Sequence, residues 1–135
     1  MTACAACVPP AWIDAFLPLA LPIIRRAAAR CGDWRAEQVV DALRGGHMLL
    51  WFAIEDGEFL AAAVTQLVGA PATGRVCQIV LCGGRDLRRW THLKNAIEDY
   101  ARSESCSRVR ISGRRGWARL FRDYREPYVM LEKRM

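Results

Sequence analysis

The chain reads as a single α+β domain with a mixed, mostly antiparallel sheet flanked by helices, and three features of its 135 residues point there. Asp56-Gly57 separates two apolar, strand-like runs, the strongest short hairpin signal a sequence carries. Residues 75–110 pass through an apolar run, a double glycine, an amphipathic helical stretch and a short alternating run, which is the pattern of a βαβ unit. Two helical patterns precede any of these strands. The length suits one domain, and 53% hydrophobic with 25% charged residues is the balance of a folded globule.

Residues 1–10 are small and apolar and close on Pro9 and Pro10, so they read as an irregular arm ahead of a domain spanning 11–135. The first helix is expected from Ala11 to Arg30. Trp12, Ala15, Phe16, Leu19, Ile23 and Ala27 recur at helical spacing, Pro18 and Pro22 predict a kink, and Gly32 stops it. Asp33 caps a second helix from Trp34 to Arg44, with Val39, Val40 and Leu43 as its buried stripe. The runs 47–54 and 59–68 form the hairpin, and Arg75 to Leu81 adds a third strand antiparallel to the second. The helix after Gly84 carries Leu87, Trp90, Leu93, Ile97, Tyr100 and Ala101 on one face. Residues 107–112 alternate Arg108 and Arg110 against Val109 and Ile111, giving a strand with one face toward the core. A basic turn, a short helix from Trp117 to Tyr124 and a last strand from Pro127 to Lys133 complete the order α-α-β-β-β-α-β-α-β. The open edge at that last strand predicts that it pairs with another chain or is covered by the arm.

Charge divides the chain. Residues 1–74 hold five Arg against seven Asp and Glu, net −2, whereas residues 75–135 hold fifteen Lys and Arg against seven Asp and Glu, net +8. Eighteen of the twenty basic residues are Arg, suited to bidentate contacts with phosphate or carboxylate. Nucleic acid is disfavoured as a partner, because Trp117, Phe121 and Tyr124 are the only aromatics among the C-terminal arginines and they stand at core spacing. Residues 11–24 are too short, and too interrupted by Asp14, Pro18 and Pro22, to cross a bilayer. Cys31, Cys77, Cys82 and Cys106 fit buried free thiols of a reducing bacterial cytoplasm. Cys4-x-x-Cys7 lacks a second ligand pair, and His47 and His92 carry no ligand spacing, so no metal site is expected.

The chain resembles the GNAT superfamily of acyl-CoA-dependent N-acyltransferases over nearly its whole length. The likeness lies in the GDW helix start at Gly32 to Trp34, the WFAIEDGEFLAAA hairpin, the IEDYARSESCSRVRI passage and the closing GWARLFRDYREPYVMLEK. CGGRDLRRW, GRRGWARLF and the terminal LEK look like short GNAT-like proteins of tailed phages and prophages. The resemblance implies acetyl-CoA as cofactor, its pyrophosphate held where a helix opens with Q/R-x-x-G-x-G/A. Here Arg85 matches the first position, while Arg88 and Trp90 stand at the glycine positions. Gly83 and Gly84 just upstream, with Arg85, Arg88 and Arg89, are the candidate phosphate-binding residues. Many family members use a Tyr after the second βαβ strand as general acid toward the leaving thiolate. Phe121 falls nearest that position, and Tyr124, three residues on, is the candidate acid. Glu55, Asp56 and Glu58 at the hairpin are the candidate bases, and Gln78 is the only polar residue between Arg75 and Arg85.

Two functions follow from the resemblance. Loss of both motif glycines favours a phage-type accessory or virion-associated protein that acts by contacts with other protein chains, its own copies included. The alternative is an acetyl-CoA-dependent N-acetyltransferase with a non-standard phosphate-binding loop.

Overall fold

The computed structural model describes residues 3–85, 91–113, 117–127 and 129–135. Strand β1 (Ala3–Cys7) leads into α1 (Ile13–Cys31) and α2 (Ala36–Arg44), followed by β2 (Leu49–Glu55), β3 (Glu58–Val68) and β4 (Val76–Gly84). Helix α3 (Thr91–Ser103), β5 (Arg108–Ile111) and the single turn α4 (Trp117–Leu120) complete the chain. The five strands form one sheet in the order β1-β2-β3-β4-β5. Only β4 and β5 run parallel; the other pairs are antiparallel. The expected α+β domain with a mixed sheet and flanking helices is therefore present.

Its fifth strand comes from the other end of the chain. The residues read as an irregular arm form β1, which pairs Ala3 to Cys7 with Glu55 to Trp51. The expected last strand is absent among the described residues of 127–133, where Val129, Met130 and Leu131 are 77%, 72% and 91% exposed. The short helix before it stops at Leu120 rather than Tyr124.

Local signals explain the elements that matched. Asp56 and Gly57 both take positive φ, 54° and 75°, as a two-residue type I′ hairpin requires, and Glu55 pairs with Glu58 across it. Helix α2 begins two residues later than Asp33 suggested, with the Arg35 N–H donating to Gln38 Oε1 at 2.9 Å. Helix α1 runs through Pro18 and Pro22, both exposed, so the carbonyls they leave unbonded at Asp14 and Pro18 face water. Its buried stripe is Ile13, Leu17, Ala20, Ile24 and Ala28, whereas Trp12 and Leu19 are 60% and 54% exposed. The expected stripe was thus turned by about one residue, because a helix apolar on nearly every side does not announce its inner face.

Each sheet face carries its own core. Helices α1 and α2 cover Leu50, Phe52, Val64 and Leu81, and α3 covers Trp51, Ala63, Cys77 and Ile79 through Leu93, Ile97 and Ala101. Each such large side chain contributes about 1.5–3 kcal/mol by leaving water.

Candidate active site at the opening between β4 and β5

Strands β4 and β5 pair only from Val76–Arg108 to Ile79–Ile111. Strand β4 then continues to Gly84 without β5 beside it. The cause lies in its pairing with β3, where Val64 faces Leu81 and Thr65 faces Ile79, leaving Val80 as an unopposed extra residue. A bulge bends its strand and increases the local twist. Residues 80–84 thus keep β3 on one side and meet no strand on the other among the described residues. Backbone amides on that side are a recessed strand edge, able to pair with an extended molecule that carries amides of its own.

Gly83 and Gly84 lie at the mouth of this opening. They close β4, paired with Ala62 and Ala61, rather than forming the turn into the helix. A Cβ on Gly83 would stand 2.9 Å from Ile23 Cγ2 of α1. Gly84 has φ +146°, and a Cβ there would stand 2.3 Å from the Leu60 carbonyl oxygen. Packing against α1 and β3 therefore requires both glycines, whatever else they do. Arg85 bridges back to β3, its backbone N–H donating to Leu60 O at 2.8 Å and its Nη2 to Phe59 O at 3.2 Å. Its side chain is exposed at the same mouth. Arg88 and Arg89, and with them Trp90 at the second motif-glycine position, lie outside the described residues.

Tyr124 stands elsewhere, against the middle of α3. Its hydroxyl donates to Glu98 Oε2 at 2.7 Å, and its ring packs on Phe121 with centroids 4.9 Å apart. Lys94 Nζ sits over the Tyr124 ring at 5.4 Å and binds Asp123 at 2.6 Å. Burial first, and then the Glu98 hydrogen bond, push the Tyr124 pKa well above the ordinary phenol value. The hydroxyl is held neutral, with its proton directed at Glu98. Sequence reasoning did not single out Glu98 or Lys94; their i,i+4 spacing was the available sign. Glu55 and Glu58 pair across the hairpin end at the same end of the sheet as Gly84, which Ala61 of β3 meets.

Cys77 and Cys82 are not nucleophiles here. Burial pushes Cys77 up to about 12 and Cys82 well above its ordinary value, so both stay protonated. Cys4 and Cys7 are opposite Ile54 and Trp51, an odd separation that sends them to opposite faces of β1. Among the described residues no group of three His, Cys, Asp or Glu is placed to hold a metal ion. No helix among them is long and apolar enough to cross a membrane.

No protein-family model and no curated protein matches the sequence. Solved structures do match the fold from end to end. A chain described as a probable acetyltransferase aligns with a TM-score of 0.71 at 16% identity, covering 100% of this chain and 97% of its own. A predicted acetyltransferase of Clostridium acetobutylicum, solved with acetyl-CoA, aligns at 0.70 and 14% identity over 98% and 96%. The chain has the GNAT fold. A ribosomal-protein-alanine N-acetyltransferase of Brucella melitensis also aligns, at 0.63 and 14% identity over 99% of both chains. At these identities the GNAT likeness is one of architecture, and this chain's own residues must carry the functional reading.

Proposed function

We propose that this GNAT-fold chain is an acetyl-CoA-dependent N-acyltransferase. The observation that carries the proposal is the side of β4 at residues 80–84 that meets no strand among the described residues, opened by the Val80 bulge beside a parallel β5 that stops at Ile111. Acetyl-CoA would supply an activated acyl thioester and a linear arm containing two amides. The amides suit the recessed backbone edge. Arg85, with Arg88 and Arg89 following it in sequence, suits the phosphates.

The chain's own contribution is mainly positional. The β4 edge fixes the arm in an extended line, and α3 closes one face of the opening against water through Leu93 and Ile97. Tyr124 remains the candidate proton donor, but its hydroxyl must leave Glu98 before it can serve another atom.

Thermal unfolding with acetyl-CoA, free CoA and ATP tests the proposal. A ligand at ~100 times its dissociation constant adds about 2.7 kcal/mol, several degrees in a domain of this size. Acetyl-CoA and CoA are expected to raise the midpoint while ATP does not; no shift with any of them overturns the proposal.

A second reading, a contact role in a virion or accessory assembly, is favoured by the exposed Val129, Met130 and Leu131. Its phage component rests on sequence resemblance. Light scattering tests the self-association it includes, with a monomer at every concentration counting against pairing of that segment between copies.

A further inference from the structure

Gln66, Gln78 and Arg110 stand side by side on β3, β4 and β5, Gln66 opposite Gln78 and Gln78 beside Arg110. Neighbouring strands lie ~4.8 Å apart, so the three form a short polar row across the sheet. Cys77, Ile79, Val109 and Ile111 carry the α3 face of these strands, so the row occupies the opposite face. All three residues are half-buried, and none has a hydrogen-bond or ion-pair partner among the described residues.

Arg110 is the anomaly. Among the described residues three basic side chains are half-buried, namely Arg75, Lys94 and Arg110. Arg75 is paired with Glu104 at 3.5 Å and Lys94 with Asp123 at 2.6 Å. Arg110 alone of these has no carboxylate. A cation drawn partly out of water costs free energy that a counter-charge recovers, and here the residues that continue the row from Arg110 are two carboxamides, Gln78 beside it and Gln66 beyond. Arg108, two residues earlier on the same face, adds a second cation without an ion pair among the described residues.

We infer that Arg110, Gln78 and Gln66 form a seat for an oxyanion, carboxylate or phosphate, borne by the amine that accepts the acyl group. The guanidinium fork matches either oxyanion, and the carboxamide N–H groups supply further donors. The Gln78–Arg110 pair comes one residue, ~3.3 Å along the strand, before Ile79–Ile111, the last pair before the opening. A small molecule anchored there would present an amine a few bonds away at the bottom of the opening. It would approach from the face opposite α3. The acceptor role rests on the proposed acyl transfer; the oxyanion seat does not.

The test is a titration of the full chain, without acetyl-CoA, by β-alanine, O-phosphoethanolamine and ethanolamine. The readout is the side-chain NH2 signals of Gln66 and Gln78 and the Nε–H signal of Arg110 in proton–nitrogen spectra. β-Alanine and O-phosphoethanolamine separate carboxylate from phosphate, and ethanolamine, which carries the ammonium group without an oxyanion, is the control. At least one anionic amine is expected to move all three signals while ethanolamine moves none, and Arg110→Gln is expected to weaken that binding about tenfold or more. Gln66→Ala, which removes one donor and leaves the cation, should weaken it less. The inference is overturned if neither anionic amine moves the signals, if ethanolamine moves them equally, or if Arg110→Gln binds as tightly as the parent. Anion binding without any acetyl-CoA shift keeps the seat and removes the acyl transfer; the reverse result removes the seat alone.

Discussion

The Tyr124 hydroxyl donates a 2.7 Å hydrogen bond to Glu98 Oε2, tying the segment after α4 to the middle of α3. Replacing Tyr124 by Phe removes that bond and leaves Glu98 with Lys94 at 4.0 Å. Loss of a hydrogen bond to a charged, partly buried acceptor is expected to cost about 1–2 kcal/mol, lowering the unfolding midpoint by several degrees. A purely structural Tyr124 predicts a matching, small loss of any acyl transfer. A proton donor predicts a fall in kcat of about a hundredfold or more at nearly constant KM.

Gly84→Ala should be the most damaging single methyl in the opening. Its Cβ would fall 2.3 Å from Leu60 O and 2.5 Å from Ala61 Cα at a φ of +146°, and both obstacles are β3 backbone rather than the end of a side chain. We expect a loss of about 2–4 kcal/mol by chemical denaturation. At Gly83 the obstacle is Ile23 Cγ2 at 2.9 Å, the end of a side chain, so Gly83→Ala should cost less. Ile23→Val in the same chain should recover part of that loss. Additive effects of the two substitutions would refute the contact.

Stability should fall at alkaline pH. Burial, with a smaller push from Cys106, moves the Cys77 thiol from its ordinary 9.0 up to about 12. A folded-state value above the unfolded one means that the contribution is complete below about pH 9 and is lost as pH climbs toward the folded value. Tyr124 acts in the same direction above its ordinary 10.0. Midpoints measured from neutral pH upward are expected to hold level and then drop above about pH 9, and Cys77→Ala should make the drop shallower. A midpoint that rises in that range would contradict the burial of Cys77.

Trp51 Nε1 donates to Thr65 Oγ1 at 2.9 Å in the α3-side core, and Thr65 is 1% exposed. Thr65→Val keeps the volume and strands the indole N–H, an expected cost of about 1–3 kcal/mol. Thr65→Ser keeps the acceptor and should lose less in the same denaturation experiment. Equal losses would mean that the methyl group, rather than the hydrogen bond, carries the effect.

The sequence alone determined whatever depends on neighbours along the chain. Asp56-Gly57 requires a tight hairpin because both residues tolerate positive φ, and Val39 and Leu43 fix the inner face of α2 because its other positions are mostly polar. Strands β2 to β5 were legible as apolar or alternating runs, and the resemblance named the architecture that they build. Tertiary structure decided the rest. Residues 3–7 carry no period of their own and became a strand because β2 offered an open edge. Helix α1 took its inner face from the sheet. Gly83 and Gly84 are in sequence only a double glycine between strand and helix, and it is Ile23 and Leu60, distant in sequence, that crowd them within β4. The opening between β4 and β5 arises from a mismatch of pairing at Val80, a quantity that belongs to two strands at once. Tyr124 with Glu98, and Gln66 with Gln78 and Arg110, are likewise pairs made by folding, since side chains far apart in sequence become neighbours only when register and packing bring them together.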